Sequence, residues 1–190
     1  MAKTGFEAYL RKAFDVVLSP GRGTNKAMDI RGSLRFYYNI MIIPLILGVL
    51  ITLLIGGPAA AGLNAVAILV ILPLSVLVNS IVYHLLIGRL FGMYTQDYER
   101  VFGAFTYGIV PVVLVYWFIG IPIIGAVIVA LASVWGYIVQ IIALSNLLRM
   151  SRLRAFATTI LSAVVVFIIV TLLSAITTVG IFAGMHVLGL

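Results

Sequence analysis

The chain has 190 residues, 64% of them hydrophobic and only 9% charged, with a mean hydropathy of +1.26. Soluble domains carry about 25% charged residues, so this composition excludes a water-soluble fold and points to an all-α, polytopic membrane protein. The net charge is +7 and Cys is absent, which excludes disulfides, thiolate catalysis and cysteine metal sites. The basic residues lie beside apolar stretches, where anionic lipid and membrane orientation account for them without nucleic acid.

Phe6, Tyr9, Leu10, Phe14, Val17 and Leu18 recur at three- and four-residue spacing, with Glu7, Arg11, Lys12 and Asp15 between them. The spacing predicts an amphipathic helix over 5–18 that lies in the headgroup region, its stripe of Phe6, Leu10, Phe14 and Val17 facing the acyl boundary. It is not a secretory signal, because no uninterrupted apolar core follows the basic residues. Ser19-Pro20-Gly21 ends it. Gly21-Arg22-Gly23-Thr24-Asn25-Lys26 looks superficially like a phosphate loop, but no strand precedes it and the full spacing is missing. It reads as a basic juxtamembrane linker. Residues 1–35 are thus expected to form a cytoplasmic amphipathic helix and basic linker, and residues 36–190 a five-span membrane domain.

Charges stop after Arg35, and the run from Phe36 to Gly88 contains none. Gly56-Gly57-Pro58 divides it into spans over about 38–55 and 64–87, with Pro44 and Pro73 expected to kink them. The loop from Arg89 to Arg100 is polar, and Phe91, Tyr94, Tyr98 and Phe102 suit the membrane interface. A second uncharged run of 48 residues, Val101 to Leu148, is too long for one crossing. One span takes roughly 20 residues, at about 1.5 Å per residue across about 30 Å of hydrocarbon. Gly120-Ile121-Pro122 therefore divides it into a hairpin of spans over 101–119 and 122–147. Arg149, Arg152 and Arg154 follow, then one last span over 156–179 and a frayed or interfacial tail containing Gly180, Gly184 and Gly189.

With five spans, every charged residue falls on one side and none on the other. The positive-inside rule then places the N-terminus in the cytoplasm and the C-terminus outside. Arg11, Lys12, Arg22, Lys26, Arg149, Arg152 and Arg154 make up a basic cytoplasmic face, which Lys3 and Arg31 extend. Anionic headgroups attract such a face by about 1 kcal/mol per basic residue. A protein partner docking there is the other expectation, and a homo-oligomer is left open.

No Asp, Glu, Lys or Arg lies within the spans, which argues against a proton relay or voltage sensor. Asn79 and Gln140 each lie eight residues before the cytoplasmic end of their span, and Pro111 sits at similar depth. With Ser162 they form a candidate polar intramembrane cluster, either helix glue or the lining of a solute site. Ala126, Ala130, Ala132, Ser133 and Gly136 give the fourth span a small-residue face for close helix contact. Ser80 and His84 stand one turn apart, yet no Gly-x-Ser-x-Gly elbow or oxyanion donor accompanies them. His186 is expected near the opposite membrane face, so the two histidines cannot share a metal. No catalytic residue, metal or cofactor is expected.

The pattern resembles the YIP (Ypt-interacting protein) family in its compact prokaryotic form. The likeness rests on Val17-Leu18-Ser19-Pro20, on Phe102-Gly103-Ala104-Phe105 through Tyr107-Gly108-Ile109-Val110-Pro111, and on Gly120-Ile121-Pro122. Trp135, the Leu144–Asn146 region and Ser151-Arg152-Leu153-Arg154-Ala155 continue it. The resemblance implies a five-helix domain without a known active site, in a prokaryotic cell membrane. In eukaryotic relatives it implies contact with Rab-type GTPases and vesicle traffic. This chain departs from them in lacking the long soluble N-terminal region and the Asp-Leu-Tyr-Gly-Pro motif. The leading expectation is a non-enzymatic scaffold or adaptor working through its basic face. The alternative is a small-solute transporter or channel using the polar layer around Asn79 and Gln140.

Overall fold

The computed structural model describes residues 5–92 and 97–188, with side chains for all of these except 91, 170 and 173–188. Lys3, Tyr94 and Gly189 lie outside the described residues, as do the side chains of Phe91 and His186. Every regular element among the described residues is helical.

The N-terminal segment folds as α1 (Gly5–Leu18), the single turn α2 (Pro20–Gly23) and α3 (Ile30–Ile40). Asp29 caps α3, its Oδ1 accepting from the Gly32 N–H at 2.7 Å. The helix at 5–18 forms where periodicity places it, and it packs on the protein with a different face from the stripe expected to meet the acyl boundary. Ala13 and Val16 are fully buried, whereas Phe14 and Leu18 are 55% and 76% exposed. Tyr9, Ala13 and Val16 share one face by their four- and three-residue spacing, and α1 packs with it onto α3 and α6. The small Ala13 permits the close approach. The described part of the segment, residues 5–35, therefore shares one core with the spans.

α4 (Ile42–Val66) continues through a π-helical stretch, Ala67–Ile71, into α5 (Leu72–Phe91). Straight, the apolar run Ile42–Leu90 of 49 residues would extend about 74 Å at 1.5 Å per residue. It is not straight. Gly57 adopts φ 77° and ψ −176°, a conformation that L side chains avoid, and breaks the helix immediately before Pro58. Beyond the break the chain doubles back: the Asn64 amide reaches Thr52 Oγ1 at 3.5 Å, and the Tyr37 hydroxyl donates to the Ile68 carbonyl at 2.5 Å. Pro44 lies in the first turn of α4, where its missing N–H costs nothing, rather than kinking a span. Pro73 follows directly on the π-helical stretch, which accommodates the lost backbone bond.

α6 (Tyr98–Val115) runs through a 3-10 stretch, Tyr116–Gly120, and turns at 121–123 into α7 (Ile124–Leu148). The hairpin forms where the Gly120-Ile121-Pro122 breaker places it. Its two helices make the closest contact in the molecule, because Gly108 and Gly136 face each other: a Cβ on Gly136 would collide with the Gly108 carbonyl oxygen. Arg149, at φ 53°, closes α7 in a left-handed cap, and α8 (Arg152–Leu188) completes the fold. α6 packs against α5 and α7, and α8 against the same two, so the four helices form a ring. Among the described residues, four helical stretches are long and apolar enough to cross a membrane: 42–90, 98–120, 124–148 and 152–169.

Candidate functional site

The four-helix ring borders a cavity of about 240 Å³ that is open at one side. Each helix contributes to its wall, and the polar contributors are Ser75 and Asn79 from α5, Ser133, Tyr137 and Gln140 from α7, and Thr159 and Ser162 from α8. α6 contributes Phe105, Gly108, Ile109 and Val112, and among the described residues no charged side chain lines the space. α6 and α7 are drawn together at Gly108 and Gly136, and both glycines line the space. A Cβ on Gly108 would meet Gln140 Cβ at 2.7 Å, so the bare backbone there also sets the position of the Gln140 side chain.

Three of the four residues of the expected polar cluster, Asn79, Gln140 and Ser162, line this one space. Pro111 is buried in α6 but does not line it. The residues meet across a void rather than through bonds to each other. Asn79 Nδ2 donates to the Ser75 carbonyl of its own helix at 2.7 Å, and Ser133 Oγ donates to the Val129 carbonyl at 2.8 Å. Gln140 is 7% exposed and makes no hydrogen bond among the described residues. The Thr159 and Ser162 hydroxyls, each in a residue 2% exposed, are also without partners.

At the end of the bundle where the charged residues gather, every described Lys and Arg except Lys12 is exposed. Arg11, Arg22, Lys26, Arg149, Arg152 and Arg154 all belong to this surface. Lys12 differs from the other members of the expected basic face. Its ammonium lies 5.0 Å from the Tyr107 ring centroid and 5.3 Å from that of Phe36, and donates to Met28 Sδ at 3.1 Å. Burial holds its pKa below the usual value, and nearby Lys26 adds to the shift. Lys12 thus pins α1 to α3 and α6. The linker is fixed as well. Tyr107 Oη donates to the Lys26 carbonyl at 2.7 Å, Asn146 Nδ2 to the Gly21 carbonyl at 3.3 Å, and Trp135 Nε1 to the Val17 carbonyl at 3.0 Å.

Ser80 and His84 are not joined. The Ser80 hydroxyl pairs with Tyr98 Oη at 2.9 Å and with the Leu77 carbonyl at 2.8 Å, while the His84 ring stands edge-to-face against Tyr98. Sequence reasoning did not single out Thr159, or the buried bond between Tyr83 Oη and Thr158 Oγ1 at 2.7 Å that ties α5 to α8. Thr159 lies three residues before Ser162 on one helical face, and that spacing was the available signal.

A family model described as Yip1 domain matches residues 14–174. No curated protein and no solved structure matches the chain.

Proposed function

The chain belongs to the Yip1 family, and from that premise we propose that it is a non-enzymatic membrane scaffold or adaptor. Its basic end engages anionic lipid headgroups or an acidic protein surface on the cytoplasmic side. The observation that carries this reading is the exposure of all the described Lys and Arg but one at a single end of the bundle, beside the exposed apolar side chains Phe14 and Leu18 of α1. Cations flanking such side chains suit the boundary between headgroups and acyl chains. In this reading the run 42–90 crosses twice around Gly57, giving five crossings, a cytoplasmic N-terminus and an external C-terminus.

Topology is tested with single cysteines, which the Cys-free sequence permits. An impermeant thiol reagent is expected to label Ala60→Cys from outside and Ser151→Cys from inside; labelling of both from one side overturns five crossings. Engagement of lipid is tested on the purified chain in neutral detergent. Added phosphatidylserine is expected to raise the unfolding temperature by several degrees more than phosphatidylcholine, and less so at high salt. A variant with Arg11, Arg22, Lys26 and Arg149 changed to Gln should lose most of that difference. Equal stabilisation by both lipids defeats the lipid arm of the proposal.

A further inference from the structure

The interior of the α5–α8 ring carries an inference independent of the basic face. Buried polar side chains are nearly always hydrogen-bonded, and each orphan costs about 1–3 kcal/mol. Here the Thr159 and Ser162 hydroxyls are buried without partners, and the Gln140 side chain, which makes no hydrogen bond among the described residues, borders the same space from α7. Helix glue does not account for them, because glue requires that they bond to each other or to a neighbouring backbone. The α5–α8 tie is made elsewhere, by Tyr83 and Thr158. The orphans are left for something that enters the cavity.

The wall restricts what that is. It offers hydroxyl and amide groups, which both donate and accept, and no charged side chain among the described residues. A bare ion there would exchange its hydration for a few neutral dipoles with no counter-charge, at a cost of several kcal/mol. The volume of about 240 Å³ equals roughly eight water molecules at about 30 Å³ each, below the 300–1,000 Å³ typical of drug-sized ligands. Leu72, Val76, Phe105, Ile109 and Val112 supply apolar wall between the polar groups, as in small-molecule sites generally. We propose that this cavity is a binding site for a small, uncharged, hydroxyl- or amide-bearing solute, held by Gln140, Thr159 and Ser162.

The test uses the full chain in lipid nanodiscs with Ser162→Cys as the sole thiol, Ser151→Cys as an exposed control, and glycerol as the probe. Neutral methyl methanethiosulfonate is expected to modify Cys at 162, with the anionic sulfonatoethyl reagent at least tenfold slower there relative to the control position. Glycerol should slow the neutral reaction at 162 saturably, by at least threefold, and leave the control rate unchanged. Lactate, an anion of similar size at matched osmolality, should not slow it. Adding Gln140→Leu should remove the protection by glycerol. Equal protection by glycerol and lactate, a rate that falls at both positions in parallel, or no protection at all would overturn the proposal and leave a water-filled void. If Ser162→Cys does not fold, Ala163→Cys on the same wall carries the same readouts.

Discussion

The α6–α7 hairpin and the hairpin around Gly57 are both apolar, but they are packed in opposite ways. In the most hydropathic stretch of the run 42–90, mean hydropathy 2.6, 17% of residues are buried; in that of 98–120, mean hydropathy 1.8, 56% are. The less apolar stretch is the more buried. In water the ranking would reverse, since apolar area leaving the solvent drives burial. In a bilayer, lipid tails solvate Leu and Ile as well as a protein neighbour does, so close contact of small residues and specific polar bonds decide which helix lies inside. α6 has Gly103, Ala104, Gly108 and the buried Tyr107, whereas the first hairpin presents Leu50, Leu53, Leu54 and Ile55 outward.

Breaking that contrast should give the largest effect. Gly136→Leu forces α6 and α7 apart and is expected to cost about 3 kcal/mol or to prevent folding. Gly62→Ala in the first hairpin meets nothing within 4 Å and should be neutral or gain about 0.5–1 kcal/mol from helix propensity. Unfolding in mixed micelles measures both. Comparable losses would remove the distinction between the hairpins.

A second contrast is between polar bonds. Tyr83→Phe and Thr158→Val are expected to couple by about 1 kcal/mol in a double-mutant cycle, because their hydroxyls meet at 2.7 Å in a buried position. The Thr52–Asn64 pair, at 3.5 Å, should couple by less than about 0.5 kcal/mol. Reversed coupling energies would make the Thr52–Asn64 contact, not the α5–α8 tie, the stronger structural bond.

The cavity sharpens the comparison in the other direction. Gln140→Leu replaces an unbonded amide with an apolar side chain of similar size, so detergent unfolding should show a gain of up to about 1 kcal/mol. A loss of more than about 1 kcal/mol would mean that the amide bonds within the protein after all.

The smallest effect concerns the seat of α1 on the hairpin. Burial disfavours protonated Lys12, so its folded pKa lies below the usual 10.5. Below that folded pKa the burial penalty is present in full; it is relieved as pH rises towards 10.5, and docking of α1 should strengthen in that interval. Trp135 Nε1 bonds the Val17 carbonyl, so Trp135 emission in a Trp117→Phe background reports docking. Lys12→Met should flatten the pH dependence; an unchanged slope would assign it to another group.

Hydropathy and charge runs on their own determined that the chain is helical and membrane-embedded, where the Gly57 and Gly120-Ile121-Pro122 breaks fall, and that the charged residues collect at one end. These properties depend on the chain's relation to its solvent, and solvent preference is additive along a sequence. Equal depth brought Asn79 and Gln140 to one level, because depth follows from counting residues along helices. Their facing directions were not legible. Whether they bond or leave a void depends on which helices approach closely, and that is set by the mutual contact of Gly108 and Gly136. The inward face of α1 and the aromatic seat of Lys12 belong to the same class. Periodicity gives a helix two faces, but only the surface offered by Phe36 and Tyr107 chooses which one is buried.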